Sequence, residues 1–286
     1  MPDYVFAFML TVAGLLGLVI GSFLNVVVSR VPARIPLTRE SRCPHCGARV
    51  RWWQNMPVIS WVILRGRCAS CAAHISVRYP LVELATGIAF VGVTWLVLGR
   101  SMTETTGAGP TAGTGATWSA ALVLIALLYF AAVSIVLTLI DLDTHRLPNS
   151  IVLPAYPIAL LLVASASVLS GDVDAFVRAL VGMAALYAFY FLLRLIRPGG
   201  MGGGDVKLAG VVGLYLGWTG WGALLVGAFA AFLLGGIVSL CLLATRRASG
   251  STAIPFGPWM ILGCWVGIVA GEAMSDAYLG LITGTR

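Results

Sequence analysis

Two aspartates are the residues best placed to do chemistry. Asp205 follows Gly202-Gly203-Gly204, part of a run in which five of the six positions from 199 to 204 are glycine. The chain's only lysine, Lys207, stands two residues later. Asp141 closes a long apolar stretch and begins Asp141-Leu-Asp143-Thr-His-Arg-Leu-Pro148-Asn149. A carboxylate at the edge of an apolar segment is costly unless it is protonated, paired or wetted. Two carboxylates sharing one environment have split pKa values, so one is basic while the other keeps its proton. Hydrolysis of an amide needs that division: one acid deprotonates a water, the other protonates the carbonyl oxygen or leaving amine. Glycine permits positive φ and close approach of another backbone. Gly202, Gly203 and Gly204 are therefore expected to form a sharp turn open to an extended substrate, flanked by Lys207, Pro148 and Asn149. The plainer alternative is a flexible loop before an N-capping Asp.

A second group of residues points to a metal. Cys43-Pro-His-Cys46 and Cys68-Ala-Ser-Cys71 are two CxxC knuckles separated by 21 residues, slightly longer than the usual interval in four-thiolate zinc sites. Four thiolates complete a closed tetrahedral shell, so the ion expected is a structural zinc. A loop this short buries no core of its own, and a metal clip supplies the missing stability. His45 and His74 are alternative ligands that the paired cysteines make unnecessary. Cys241 and Cys264 lie in apolar stretches and read as small hydrophobes.

The elements that position these groups follow from composition. The chain has 286 residues, 59% hydrophobic and 10% charged, against roughly 25% charged in a soluble domain. It is expected to be an all-α polytopic membrane protein of about eight helices with a small cytoplasmic insert. The division is a first helix in 1–29, a zinc-binding insert in 30–80 and a seven-helix membrane region in 81–286. The spans are expected at about 4–29, 81–98, 118–140, 151–169, 176–195, a short 206–216, 221–244 and 255–281. A flexible outer loop is expected over 100–117. Gly17 and Gly21, and Gly263, Gly267 and Gly271, mark faces for close helix packing, and Asn25 reads as interhelical glue. Glu83 enters a span and is expected to face protein, water or an arginine of the insert. The net charge of +7 follows loops: nine of the 18 basic residues lie between Arg30 and Arg78. With the N-terminus outside, Arg146, Arg194, Arg197, Lys207, Arg246 and Arg247 join them on the inner side, leaving Arg100, Arg178 and Arg286 outside. That orientation places Asp141 and Asp205 at one depth on the cytoplasmic side. Nucleic-acid binding is excluded, because the basic residues follow the membrane topology and form no aromatic-interleaved surface.

With those residues in view, the chain resembles a known family. Gly-Gly-Gly-Asp205 resembles the GxGD signature of intramembrane aspartyl peptidases. Asp141 to Asn149 resembles the first-aspartate motif of type IV prepilin leader peptidases. Gly21-Ser-Phe-Leu-Asn25, the two knuckles, Trp53-Gln-Asn-Met-Pro-Val-Ile-Ser-Trp61 and Arg78-Tyr-Pro-Leu-Val-Glu83 look like that family's N-terminal region. The resemblance implies cleavage of a short basic leader after a glycine in type IV prepilins or pseudopilins, at the cytoplasmic face of the bacterial inner membrane. It also implies N-methylation of the new terminus with S-adenosylmethionine, for which the sequence offers no glycine-rich strand–helix fingerprint. A basic leader meeting a basic insert needs acids such as Glu40, Glu83 or Asp143, or anionic membrane lipid, between them. Two rival readings are a proton- or cation-coupled transporter using the same aspartates and a zinc-bearing scaffold without chemistry. The shared depth of the two acids favours the enzyme.

Overall fold

The computed structural model describes residues 2–107, 114–197, 201–245 and 255–284, with the side chains of 100–107 and 114 outside that description. The helices are α1 (Asp3–Arg30), α2 (Ile59–Ile63), α3 (Arg78–Gly107), α4 (Thr114–Thr144), α5 (Asn149–Ser170), α6 (Val173–Ile196), α7 (Gly203–Thr219), α8 (Trp221–Ala244), α9 (Gly257–Val266) and α10 (Glu272–Thr283). A π segment, Gly267–Gly271, joins the last two. Among the described residues extended structure is confined to two isolated bridges.

Seven stretches are long and apolar enough to cross a membrane. The eighth expected span is α7, with 17 residues, about 25 Å long at 1.5 Å per residue. Helices exceed the expected spans at most ends because backbone hydrogen bonding continues past the apolar window. The outer loop expected over 100–117 is a correction of this kind. Helix α3 runs through Gly107 and α4 starts at Thr114, so only 108–113 remain, outside the described residues. Arg246, Arg247 and Arg286, and the side chains of Arg100 and Glu104, also lie outside them.

The chain divides into two compact units, one comprising 1–112 and 127–136, the other 113–126 and 137–286. In the first unit α1 packs closely on α3. A Cβ on Gly17 would stand 2.8 Å from the Thr86 carbonyl oxygen, and one on Gly21 2.7 Å from Glu83 Cα. Asn25 donates to the Tyr79 carbonyl at 3.1 Å, the interhelical link expected of it. Glu83 is buried and accepts the Val58 N–H at 2.7 Å, with Ser22 also bonded to it. Val58 has φ 60° and ψ −50°, and the Ile59 N–H closes on the Pro57 carbonyl across it. That is the rare, strained form of γ-turn, here on a β-branched residue. The Glu83 carboxylate meets the N–H that this strain turns inward.

In the second unit α6, α7, α8 and α9 pack through small residues. A Cβ on Gly263 would stand 2.6 Å from the Gly227 carbonyl oxygen, and one on Gly271 2.5 Å from Ala223 Cα. Asp172 N-caps α6 by accepting the Ala175 N–H at 2.9 Å.

Candidate active site

Asp141 lies in the last turn of α4 and is 4% exposed. Helix α4 ends three residues later, at Thr144; His145 follows with φ 53°, and Pro148 then precedes α5. Proline suits that place because it has no N–H to leave unsatisfied. The chain returns to Asp141 116 residues later: the Gly257 N–H, at the start of α9, donates to Asp141 Oδ2 at 3.1 Å. A free N–H at a helix N-terminus is a natural partner for an anion.

Asp205 is the third residue of α7 and is half-buried. Its Oδ2 accepts the Gly202 N–H at 3.1 Å, half of a capping box. The sharp turn expected of the glycines is corrected. Gly202 has φ −69° and ψ 147°, an ordinary N-cap conformation, and Gly203 and Gly204 are already helical. What these positions require is space. A Cβ on Gly204 would stand 2.8 Å from Leu147 Cβ, and one on Gly257 2.7 Å from Asp141 Oδ2 and 3.5 Å from Leu147 Cδ1. Leu147 thus fills the gap between the two glycines that hold the acids' neighbourhoods together. The two carboxylates lie close enough for their charges to repel. Gly199 and Gly200 lie outside the described residues.

Lys207 Nζ donates to Asn149 Oδ1 at 3.0 Å, and the Tyr156 hydroxyl donates to the Lys207 carbonyl. Both bonds tie the start of α7 to α5, so Lys207, Pro148 and Asn149 share one corner beside Asp205. The Arg194 guanidinium, at the end of α6, lies against Gly203. An aromatic group packs beside the start of α9: Tyr190 stacks on Phe232 at 5.5 Å and tilts against Phe256 at 6.1 Å. Phe256 immediately precedes Gly257. Leu147, Tyr190, Arg194 and Gly257 were not singled out by the sequence, since no motif links them to either acid. Asp143 is exposed.

In the insert, the four Sγ atoms of Cys43, Cys46, Cys68 and Cys71 lie within 4.8 Å of one another, and Cys43 and Cys71 stand 3.9 Å apart. Tetrahedral zinc–thiolate bonds of 2.3 Å place sulfurs about 3.8 Å apart, so the group fits a four-thiolate ion. All four thiols are free. The knuckles repeat one backbone pattern: Cys43 donates to Ala48 and Gly47 to Cys43, as Cys68 does to Ala73 and Ala72 to Cys68. Backbone N–H groups of Ser70 and Cys71 hold the Cys68 thiol down at about 6. The Ala73 N–H lowers Cys71, but its contact with Cys46 and partial burial push that thiol up to about 12. His45 and His74 are not part of the cluster among the described residues.

A helical membrane protein with two interacting aspartates at helix ends and a thiolate clip has the make-up of a membrane peptidase of the aspartyl class. The family models for the bacterial peptidase A24 N-terminal domain and the type IV leader peptidase family match residues 15–97 and 128–240. A prepilin leader peptidase/N-methyltransferase of Stutzerimonas stutzeri is 35% identical, covering 92% of this chain and 91% of its own. Those of Pseudomonas putida and Neisseria gonorrhoeae are 35% and 33% identical, covering 96% and 93% of this chain and 96% and 92% of their own. The chain belongs to the type IV prepilin leader peptidase family. No solved structure matches it.

Proposed function

We propose that the protein cleaves the basic leader of type IV prepilins or pseudopilins, with Asp141 and Asp205 as the catalytic pair. The observation that carries this reading is the convergence of two charge-coupled aspartates, each accepting a backbone N–H at a helix start. One carboxylate takes a proton from the attacking water, and the other gives its proton to the carbonyl oxygen. The pair titrates as a unit. Lys207 and Asn149 anchor the corner at which an extended substrate would meet Asp205.

The site lies at the cytoplasmic face of the inner membrane, with the N-terminus outside; 15 of the 18 basic residues then fall inside. Glu40 is engaged by Arg42 and Arg49, and Glu83 is buried against Val58. With both acids engaged, anionic lipid lies between the basic insert and a basic leader. Cys43, Cys46, Cys68 and Cys71 would hold one structural zinc, which supplies a fold-stabilising clip to the insert. N-methylation of the new terminus is carried by the family resemblance. The described residues contain no strand–glycine loop–helix cradle for S-adenosylmethionine, and no step is assigned to that cofactor.

The test is incubation of purified, lipid-supported protein with a prepilin-like peptide, followed by mass analysis. Release of the leader by the native chain and not by Asp205→Asn is expected. An intact peptide with a correctly folded native chain would overturn the proposal, and ion-coupled uptake in vesicles would then favour the transporter.

A further inference from the structure

Part of the insert is apolar where a water-facing loop would be polar. Residues 31–77 lie outside every stretch able to cross a membrane. Yet Trp52 is 82% exposed and Ile63 70%, with Ile59 and Val62 exposed near them. Ile59, Val62 and Ile63 share one face of α2, being three and four residues apart. The opposite face is engaged: Trp61 donates its indole N–H to the Ile75 carbonyl at 3.1 Å, and its ring lies against Gly66. Trp61 thus holds α2 to the insert, and a row of branched apolar side chains turns outward. The surrounding charge has one sign. Nine arginines stand between Arg30 and Arg78 against one acid, Glu40, which Arg42 and Arg49 already engage. Arg51, Arg65 and Arg67 are exposed and form no ion pair among the described residues. Glu83 fixes the depth of this face. It lies five residues after Arg78, where the span begins, about 7.5 Å at 1.5 Å per residue. Its side chain leans back toward the helix start. The Val58 N–H meets that carboxylate at 2.7 Å, and α2 follows at Ile59. Helix α2 therefore starts level with the first turn of a membrane-crossing helix.

We propose that the segment from Arg51 to Arg67 is an interfacial anchor that docks on anionic lipid. Trp52, Ile59, Val62 and Ile63 enter the acyl boundary of the bilayer, and Arg51, Arg65 and Arg67 hold the headgroups. An apolar helix face at headgroup depth, with cationic residues around it, is the make-up of a segment lying in the membrane plane. Tryptophan suits that level because its ring is apolar and its N–H polar. Guanidinium groups take phosphate oxygens two at a time. Anionic headgroups supply the negative charge that the insert itself lacks. A soluble protein partner would have to displace lipid to reach a face at this depth. The placement does not depend on the catalytic pair.

The experiment places the full chain in phosphatidylcholine nanodiscs carrying a minor share of brominated phosphatidylglycerol or, separately, the same share of brominated phosphatidylcholine. Bromine quenches nearby indoles, and the fluorescence of Trp52 is the difference between the native chain and Trp52→Phe. Both probes are expected to quench Trp52, the phosphatidylglycerol about twofold more strongly, because the arginines gather anionic lipid around it. The preference should vanish when Arg51→Gln, Arg65→Gln and Arg67→Gln are combined, with the melting temperature compared with that of the native chain. Raised salt should also weaken it in the native chain, since exposed charges are screened, so the test does not rest on how the variant folds. Absence of quenching by either probe would show that the face turns to water or to a protein. Equal quenching by both, unchanged by salt, would show apolar burial without headgroup capture. Either result overturns the proposal.

Discussion

Replacing Gly204 by alanine adds one methyl group against Leu147, next to Asp205. Its Cβ would stand 2.8 Å from Leu147 Cβ, where ordinary contact begins near 3.4 Å, and 3.4 Å from the Leu147 carbonyl oxygen. Leu147 or the first turn of α7 must therefore retreat by about 0.6 Å, the difference between those distances. Leu147 cannot yield freely, because its Cδ1 also approaches the space beside Gly257, where Asp141 is held. Overpacking of this kind costs about 1–3 kcal/mol of stability. Displacement of reacting groups approaching 1 Å can cost 10²-fold in rate. The expected result is a 10- to 100-fold loss of initial cleavage rate with the protein still folded. Gly203→Ala is the internal control. Its Cβ comes nearest to the Arg194 guanidinium, the far end of a flexible side chain, and should cost less than threefold. The assay is initial cleavage of a prepilin-like peptide at matched levels of detergent-stable protein. Equal rates for the two variants would show that the glycine run is a spacer and refute the packing argument.

Gly257→Ala puts a Cβ 2.7 Å from Asp141 Oδ2 and should abolish most cleavage; native rates would show that this segment does not hold Asp141. Metal analysis of the purified chain should give about one zinc, falling with Cys43→Ser or Cys71→Ser as the insert loses order; a zinc-free chain with four reduced thiols and an ordered insert would contradict this. Glu83→Leu leaves the Val58 N–H without its acceptor and should cost about 1–3 kcal/mol, read as a lower melting temperature in detergent. Val58→Gly relieves the strained γ-turn, worth about 1–3 kcal/mol, against a glycine entropy cost of roughly 0.5–1 kcal/mol; its melting temperature should not fall.

The sequence made some parts legible because their physics is local. Apolar runs set the helices, and α8 begins and ends at the expected Trp221 and Ala244. Gly17, Gly21, Gly263 and Gly271 pack helices as small residues in apolar segments must. The CxxC spacing forecast the thiolate cluster, since four sulfurs on two knuckles have few other arrangements. The aspartates were legible from their motifs, but their supports were not. Gly257 reaches Asp141 across 116 residues, and Leu147 meets Gly204 across 57. Contacts of that range leave no periodic or spacing signal. The glycine run misled in one respect: a sharp turn was expected, where the chain is already helical and needs room for Leu147. Val58 carried no cue, because a β-branched residue gives no reason to expect φ 60°.

The central claim is that Asp141 and Asp205 act as one catalytic unit while neighbouring acids do not. The most direct measurement is the initial rate of leader cleavage by Asp141→Asn, Asp205→Asn and Asp143→Asn, each inserted and folded as the native chain. Members of a unit each cost nearly the full rate when removed. The first two variants should therefore be inactive and the third should stay within a few-fold of native. Sustained cleavage by Asp141→Asn together with loss in Asp143→Asn would contradict the assignment.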